Sequence, residues 1–315
     1  MHFMVLFLWI FLILVALAVF AANIAYRITF FNRNVIQKDI YAIPPGDQYE
    51  KVAEAMLQQI HDIDQLPFEQ ICITARDGIK LAARYYHRKD GAPVQIQFHG
   101  YRGSAVREYA GGIRIAKKLG INSIVVDQRA HGLSGGHTIS FGILERYDCA
   151  DWVNYACRRF GNQTPIILSG VSMGAGTVLM ASELDLPKNV VAIVADCPYS
   201  NQSAIIQKVC GDMKLPARLA YPFVALGALL FGRFRIWESD PVRAVKNTKI
   251  PILLIHGDED RFVPFAMSKE IYEACASKKR LELVPSAGHG LCYLYDPERY
   301  CAVFTEFIRQ CGVDV

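Results

Sequence analysis

The chain has 315 residues, of which 52% are hydrophobic and 20% are charged, and its formal net charge is +4. This composition excludes a disordered chain, and so small a charge without a long basic run gives no indication of a nucleic-acid partner. The length suits one large α/β domain or two smaller ones.

The first segment of the chain is an unbroken apolar run from Phe3 to Ala22. As a helix it would be about 30 Å long, which matches the hydrocarbon core of a bilayer. A cleaved signal peptide fits less well, because no Lys or Arg precedes the run and its single Ala-x-Ala, Ala16 to Ala18, lies inside it. We therefore predict one uncleaved transmembrane anchor over residues 1–24.

The charges beside this anchor bear on its orientation. Arg27, Arg33 and Lys38 follow the run, whereas only the α-amine and His2 precede it, and the positive-inside rule then favours a cytoplasmic location for the rest of the chain. Nine cysteines, an odd number without metal-ligand spacing, also favour a reducing compartment. An extracytoplasmic domain with free thiols remains an alternative.

Residues 25–67 are predicted to be a juxtamembrane connector that includes an amphipathic helix from Gln48 to Ile63. The runs "FEQICITA" and "IKLAARYYH" follow, and Arg76-Asp77-Gly78 between them predicts a β-hairpin. After the hairpin, short β-rich runs alternate with amphipathic helices. This alternation predicts a mostly parallel sheet covered on both faces, within a domain over residues 68–315.

The alternation stops between Asp196 and Ile250, where the sequence "KLPARLAYPFVALGALLFGRF" occurs. We predict a small helical insertion at about residues 198–249. It is either a pair of helices packed on the sheet edge or an apolar lid over an active site. Arg218 and Pro222 within it make a second membrane span a poor interpretation.

The stretch "SGVSMGAG", residues 169 to 176, places three glycines between a strand and a helix. A dinucleotide-binding turn would belong after the first strand of its sheet and would need a Tyr-x-x-x-Lys downstream. Here several strands come first, and the only such match, Tyr85 to Lys89, lies upstream. No Gly-x-x-x-x-Gly-Lys phosphate loop is present either.

The alternative is a nucleophile elbow, Gly-x-Ser-x-Gly, with Ser172 on the turn. A serine hydroxyl needs an imidazole base, and His289 in "SAGHG" lies on a loop after the last predicted strand. Asp260 in "HGDEDRFVP" follows the preceding strand and would orient that imidazole. Asp258 fits a turn cap better, and Asp196 stays open as an alternative acid. Ser172, Asp260 and His289 follow one another in the chain order of α/β hydrolases.

Together, "FHGYRGS", "VVDQRAHGLSGG", "GVSMG", "HGDEDRFVP" and "AGHG" resemble the α/β-hydrolase superfamily. The chain is most similar to membrane-anchored bacterial members of the lipase, esterase or serine-aminopeptidase type. The resemblance implies an eight-stranded sheet with the catalytic triad at the carboxyl ends of its strands, and no cofactor. It also implies an oxyanion hole made of the backbone N–H groups of Met173 and Tyr101. The bulky pair Tyr101-Arg102 departs from many relatives, which carry small or polar residues there.

The predicted function is that of a membrane-tethered serine hydrolase that cleaves a carboxylic ester of a small-molecule or lipid-like acyl substrate. A serine aminopeptidase or amidase, with Glu238 or Asp240 holding the substrate amine, and an acyltransferase with the same triad remain alternatives. Neither His-Glu-x-x-His nor Cys-x-x-Cys occurs, so no catalytic metal is predicted. His99, His131 and His256 are expected to be structural. The oligomeric state has no signature in the sequence.

Overall fold

The computed structural model describes residues 2–33 and 40–315, so Lys38, one of the charges discussed above, lies outside the described residues. The described residues contain eight β-strands, which are β1 Glu69–Thr74, β2 Lys80–Tyr86, β3 Val94–Phe98, β4 Asn122–Asp127, β5 Ile166–Val171, β6 Val190–Asp196, β7 Ile252–Gly257 and β8 Lys279–Val284. Their α-helices are α1 His2–Thr29, α2 Asp47–Glu50, α3 Ala53–Asp64, α4 Ala105–Leu119, α5 Glu145–Phe160, α6 Met173–Ala181, α7 Gln202–Asp212, α8 Ala217–Gly227, α9 Pro241–Ala244, α10 Phe265–Ala274, α11 Cys292–Tyr295 and α12 Pro297–Gln310.

All eight strands form one sheet in the order β1-β2-β4-β3-β5-β6-β7-β8. The pairs β1–β2 and β2–β4 are antiparallel, and all the other neighbours are parallel. The predicted eight-stranded, mostly parallel sheet is therefore confirmed. The hairpin between β1 and β2 turns at Gly78, whose φ of 86° favours glycine.

Both faces of the sheet are buried because alternate residues of the central strands point to opposite sides. On one side, Ile166 and Leu168 join a core with residues of α5, α6 and α10. On the other side, Ile167 joins a core with residues of α4 and α12. This two-sided burial explains the continuous apolar runs that predicted the strands.

The predicted amphipathic helix from Gln48 to Ile63 is instead two helices, α2 and α3. The apolar side of α3, including Met56, Ile60 and Ile63, packs in one cluster with residues of α4. The short α2 serves another contact, since Tyr49 and Gln48 hydrogen-bond the backbone of His289. The helix is interrupted between Glu50 and Ala53 because α2 and α3 pack against different parts of the domain.

The N-terminal helix α1 is, among the described residues, the one helix that is long and apolar enough to cross a bilayer. It extends to Thr29, beyond the predicted end of the anchor. Its last turns pack against α8, where a Cβ on Gly227 would lie 2.5 Å from the carbonyl oxygen of Ala22. Glycine at position 227 therefore allows the two helices to approach closely.

The stretch between β6 and β7 forms α7, α8 and α9, with a π-helical turn, Ala228–Gly232, directly after α8. We call residues 198–249 the helical insertion. Tyr26 and Phe30 of the N-terminal segment are buried in one cluster with Ile206, Val224 and other residues of this insertion. The insertion thus packs against the C-terminal end of α1.

Candidate active site

Ser172 lies on the sharp turn between β5 and α6, at the carboxyl edge of the sheet. Its φ of 54° and ψ of −112° are costly for a residue with a side chain. A Cβ on Gly170 would lie 2.1 Å from the carbonyl oxygen of Gly174, and one on Gly174 would lie 1.8 Å from that of Phe98. Both glycines are therefore required by close backbone contacts, which hold Ser172 in its strained conformation.

The structure brings Ser172, His289 and Asp260 together at this edge. The Ser172 Oγ lies 2.9 Å from Nε2 of His289, and Nδ1 of the same ring lies 2.7 Å from Oδ2 of Asp260. His289 is on the loop after β8, and Asp260 is on the loop after β7. With an ionised Asp260, Nδ1 carries the proton and Nε2 is left to accept the serine hydroxyl.

Asp260 is held as a carboxylate by several donors. Its Oδ1 accepts the backbone N–H groups of Phe262 and Val263 at 2.9 and 2.8 Å. Burial by itself would raise the pKa of Asp260, but hydrogen bonds from His256 and His289 outweigh burial and hold the pKa well below its usual range. The carboxylate therefore stays charged at neutral pH.

His256 has a role at the site that the sequence analysis did not predict. It is fully buried, its Nδ1 lies 2.7 Å from Oγ of Ser268, and its Nε2 donates to the carbonyl oxygen of Val263 at 2.8 Å. The same Nε2 is 3.3 Å from Oδ2 of Asp260. His256 thus fixes the loop that carries Asp260. Its position four residues before Asp260 is the only trace of this role in the sequence.

The two alternative carboxylates have other contacts. Burial raises the pKa of Asp196 to about 6. The backbone carbonyl of Asp196, rather than its side chain, accepts the N–H of Ser172 at 2.8 Å. Asp258 accepts the backbone N–H of Ser286 at 2.6 Å and so caps the loop that leads to His289. Asp260 is the one of the three that bonds the imidazole.

The backbone at Gly100 and Tyr101 lies beside Ser172, since a Cβ on Gly100 would be 3.4 Å from the Cβ of Ser172. Met173 is the first residue of α6, directly after the serine. Of the predicted oxyanion-hole residues, Met173 follows Ser172 in the chain, and Tyr101 follows Gly100 and lines both compartments that Ser172 borders.

The bulky pair Tyr101-Arg102 contacts the end of α1. The Tyr101 hydroxyl donates to the carbonyl oxygen of Thr29 at 2.8 Å, and the Arg102 guanidinium donates to that of Ile28 at 2.8 Å. The Arg102 N–H donates to Nε2 of His131 at 3.1 Å, with Arg102 in the left-handed region at φ 51°. This loop is thus fixed by backbone carbonyls of a distant segment, which no sequence motif marks.

Ser172 opens onto two compartments that differ in polarity. The first has a volume of about 310 Å³, and its lining includes Gln48, Tyr49, Arg107, Glu108 and His289. The second has a volume of about 460 Å³ and is lined almost entirely by apolar side chains of α1, α7 and α8. Tyr101, Ser172 and Phe262 border both compartments. We call the first the polar compartment, because it holds these polar side chains beside apolar ones such as Met56 and Leu294, and we call the second the apolar compartment.

One group of potential metal ligands lies at the same place. Donor atoms of Cys197, Asp260 and His289 lie within 4.8 Å of one another. Burial raises the pKa of the Cys197 thiol well above its ordinary value, and a protonated thiol is a poor metal ligand. The other two groups already bond each other, so the chemistry of this donor set does not favour a metal site.

The acids proposed to hold a substrate amine are elsewhere. Glu238 forms an ion pair with Arg146 at 2.6 Å, and Asp240 caps α9 through the N–H of Arg243. Neither side chain lines the polar or the apolar compartment.

Known proteins with similar sequences and structures place the chain in a family and a fold. A model described as the alpha/beta hydrolase family matches residues 98–303. The chain is 27% identical over 191 residues to the uncharacterized protein YqkD of Bacillus subtilis, covering 60% of this chain and 63% of that protein. It is 22% identical over 240 residues to the lysophosphatidylserine lipase ABHD12 of Danio rerio, covering 72% of this chain and 61% of the relative.

A solved esterase of Pyrococcus furiosus matches with a TM-score of 0.63 at 24% identity, covering 79% of this chain and 94% of that one. This match shows the shared fold. The chain spans less than two thirds of the length of both sequence relatives.

Proposed function

Because the chain belongs to the α/β-hydrolase family, we propose that this hydrolase cleaves a carboxylic ester of an acyl chain with Ser172, His289 and Asp260 as its catalytic triad. The observation that carries the proposal is the unbroken chain of contacts at 2.9 and 2.7 Å through the His289 ring. These contacts lie at the strained turn between β5 and α6, where Ser172 borders both compartments.

In the proposed reaction, Ser172 Oγ attacks the ester carbonyl carbon while Nε2 of His289 takes the hydroxyl proton. Asp260 holds Nδ1–H and stabilises the imidazolium that forms. The tetrahedral intermediate then collapses, the alcohol leaves with the proton from Nε2, and Ser172 keeps the acyl group. Water, deprotonated by His289, releases the acid and restores the serine.

The backbone N–H groups of Met173 and Tyr101 would donate to the oxyanion of the tetrahedral intermediate. Each such donor in a serine hydrolase is worth about 3 kcal/mol in the transition state. The approach of Gly100, the residue before Tyr101, to Ser172 and the hydrogen bond that fixes the loop support this assignment.

The apolar compartment favours an acyl ester over a peptide. Its wall of aliphatic and aromatic side chains suits a hydrocarbon chain. An aminopeptidase needs an acid free to hold the substrate amine, whereas Glu108 in the polar compartment accepts the N–H of Gly100 and pairs with Arg107. Glu238 and Asp240 are committed to other contacts, as described above. The relative from Danio rerio is a lysophosphatidylserine lipase by name, which supports the same class of substrate.

We also propose that α1 is a single-pass anchor and that the helical insertion is a cap over the serine. The length and composition of α1 support the first point, and insertion side chains in the apolar compartment support the second. The basic residues Arg27 and Arg33 after the apolar run favour a cytoplasmic domain. Protease protection of the domain in sealed vesicles would test that side.

The test of the proposed function is labelling of the purified full chain with a fluorophosphonate, followed by assays on p-nitrophenyl acyl esters and aminoacyl-naphthylamides. Labelling and ester hydrolysis are expected, and both are lost in Ser172→Ala. The matched control is Ser182→Ala, at the far end of α6, which keeps both.

Three results would change the assignment. Preference for the naphthylamides would identify an amidase, and ester consumption that yields a new ester instead of free acid would identify an acyltransferase. If Ser172→Ala kept the wild-type activity, the proposed triad would be wrong.

A further inference from the structure

We propose that the last two turns of α1 are a wall of the acyl-binding site, and that a single hydrocarbon chain enters this site directly from the bilayer. This inference rests on the proposed function, because it assigns the acyl half of the same site. The membrane helix is then part of the substrate pocket as well as an anchor.

The first argument is the composition of the wall. The apolar compartment is bounded on one side by residues of α1, which are Ala21, Ile24, Ala25, Ile28 and Thr29. The opposite side comes from the helical insertion, through Ile205, Ile206, Val209, Cys210, Ala220, Phe223 and Val224 among others. Ser172 and Met173 lie at its inner end. A volume of about 460 Å³ is within the ordinary range for ligand pockets.

The second argument is that the wall is fixed in place. The close approach of Ala22 to Gly227 joins α1 to α8, and the Tyr26 hydroxyl bonds Oγ1 of Thr138 at 2.7 Å. Tyr26 and Phe30 are buried in the same cluster as Val224 and Ala228. The helix therefore cannot leave the compartment without opening a packed core.

The third argument is that the outer part of the compartment reaches the surface beside the membrane helix. Ile24 and Ile28 of α1, and Met213, Leu215 and Phe223 of the insertion, line the compartment and are also exposed. Exposed apolar side chains on both sides of the opening are unfavourable in water, whereas a bilayer would cover them.

The surface of the insertion continues this apolar patch. Leu219 is 69% exposed on α8, and Leu229 and Leu230 are exposed on the π-helical turn that follows. Lys214 and Arg218 are exposed beside Leu215 and Leu219. Basic side chains that flank apolar ones are typical of a segment lying at the headgroup level of a membrane.

The two compartments indicate the class of substrate. The apolar compartment suits one hydrocarbon chain on the acyl side, and the polar compartment offers Gln48, Arg107 and Glu108 to a polar group on the alcohol side. The geometry thus points to a single-chain amphiphile, which resides in a bilayer and presents its ester at the interface.

The first experiment fills the α1 wall. Ala21→Trp and Ala25→Trp are compared with Ala16→Trp, an exposed position on the same helix outside the compartment. In the full chain, kcat/KM is measured for p-nitrophenyl acetate and p-nitrophenyl palmitate. The ratio of palmitate to acetate is expected to fall about tenfold or more in both filled variants, because buried methylenes lose their site. Ala16→Trp keeps the wild-type ratio.

An opposite change guards against simple misfolding. Ile28→Ala enlarges the compartment at its exposed end. We expect this variant to prefer longer acyl chains than the wild-type chain does. Equal losses on both esters in the filled variants, or an unchanged chain-length profile in all three lining variants, would overturn the inference.

The second experiment tests access from the bilayer. Leu219→Glu is compared with Leu133→Glu, an exposed leucine outside the insertion and both compartments. The substrates are monooleoylglycerol in phosphatidylcholine vesicles and p-nitrophenyl butyrate in water. The ratio of vesicle to aqueous activity is expected to fall severalfold in Leu219→Glu only. The same ratio in both variants would contradict access from the membrane.

A third measurement separates this inference from the proposed function. A diazirine-bearing palmitic acid should crosslink to residues 21–29 of the full chain, even in Ser172→Ala, which cannot turn over. Crosslinking to α1 without ester hydrolysis by the wild-type chain would support the α1 wall and contradict the proposed function. Ester hydrolysis without crosslinking to α1, together with an unchanged chain-length profile in the lining variants, would contradict only the inference that α1 forms a wall of the site.

Discussion

At the scale of single residues, two buried carboxylates near Ser172 have opposite environments. Asp260 receives backbone N–H groups and the His289 ring, which hold its pKa down, whereas burial raises the pKa of Asp196 to about 6. Only a charged carboxylate can hold Nδ1–H of His289 and stabilise an imidazolium. The contrast therefore favours Asp260 as the acid of the triad.

Asp260→Asn is expected to lower kcat about 10⁴-fold, because the amide no longer enforces the tautomer that leaves Nε2 free to accept the serine proton. Asp196→Asn should retain most of the activity, since its role at the serine is carried by a backbone carbonyl. Steady-state assays on a p-nitrophenyl ester measure both. If Asp196→Asn were the more damaging change, the assignment of the acid would be wrong.

Asp196 also predicts a dependence of stability on pH. In the folded chain the carboxyl of Asp196 keeps its proton up to a pKa of about 6, whereas in the unfolded chain it has its ordinary pKa of 3.8. Between these values the folded state binds more protons, so stability falls as pH rises and remains reduced above about 6. Relative to wild type, Asp196→Asn should gain about 2 kcal/mol more in the free energy of unfolding at pH 8 than at pH 4. Urea unfolding at the two pH values checks this, and an equal gain at both would refute it.

At the scale of elements, the end of α1 holds the loop that carries the proposed oxyanion donor. Carbonyl groups at a helix C-terminus have no partner within the helix, and here Thr29 and Ile28 accept from Tyr101 and Arg102. The residues that depart from the family pattern thus join α1 to the loop beside Ser172. This contact couples the placement of α1 to that of the Tyr101 N–H.

Tyr101→Phe removes the bond to Thr29 and keeps the ring stacked on Phe141 at 4.9 Å. We expect kcat to fall about tenfold with little change in KM, because a displaced oxyanion donor weakens the transition state rather than substrate binding. Tyr221→Phe, which loses a hydroxyl bond to Ser203 in the insertion, is the control. A rise in KM at constant kcat would show instead that Tyr101 serves substrate binding.

At the scale of the whole molecule, α1 is packed into the catalytic domain at its C-terminal end and exposed along the rest. Tyr26 and Phe30 are 8% and 0% exposed, whereas the apolar residues before Ala21 contact little of the protein. The two parts of the helix therefore contribute differently to the stability of the fold, because only the C-terminal part packs in a protein core.

Deletion of residues 1–17 should leave the thermal stability of the detergent-solubilised protein close to that of the full chain. Deletion of residues 1–31 should lower the free energy of unfolding by about 4 kcal/mol, since two large aromatic side chains leave the core at about 2 kcal/mol each. Thermal unfolding of the two truncated chains in the same detergent checks this. Equal stability of both would mean that the α1 contacts contribute nothing to the fold.

Much of the molecule was predictable from local patterns. The glycines around Ser172, the Asp-Gly turn and the continuous apolar runs each reflect a requirement that acts over a few residues. They predicted the elbow, the hairpin and the parallel sheet, because backbone clashes and two-sided burial impose the residue type at the position itself. Residues Ser172, Asp260 and His289 were identified in the same way, from short motifs at the ends of strands.

Only the tertiary structure brought distant segments together. Tyr101 bonds a carbonyl of α1, His256 lies behind Asp260, and α2 holds the backbone of His289. Backbone carbonyl groups are the same for every residue type, so an acceptor such as that of Thr29 leaves no signature in the sequence. Local patterns in the sequence predicted the strands, the hairpin and the elbow turn, and indicated Ser172, Asp260 and His289 as the proposed triad. The packing of α1 and the insertion decided the shape of the compartments that open onto Ser172.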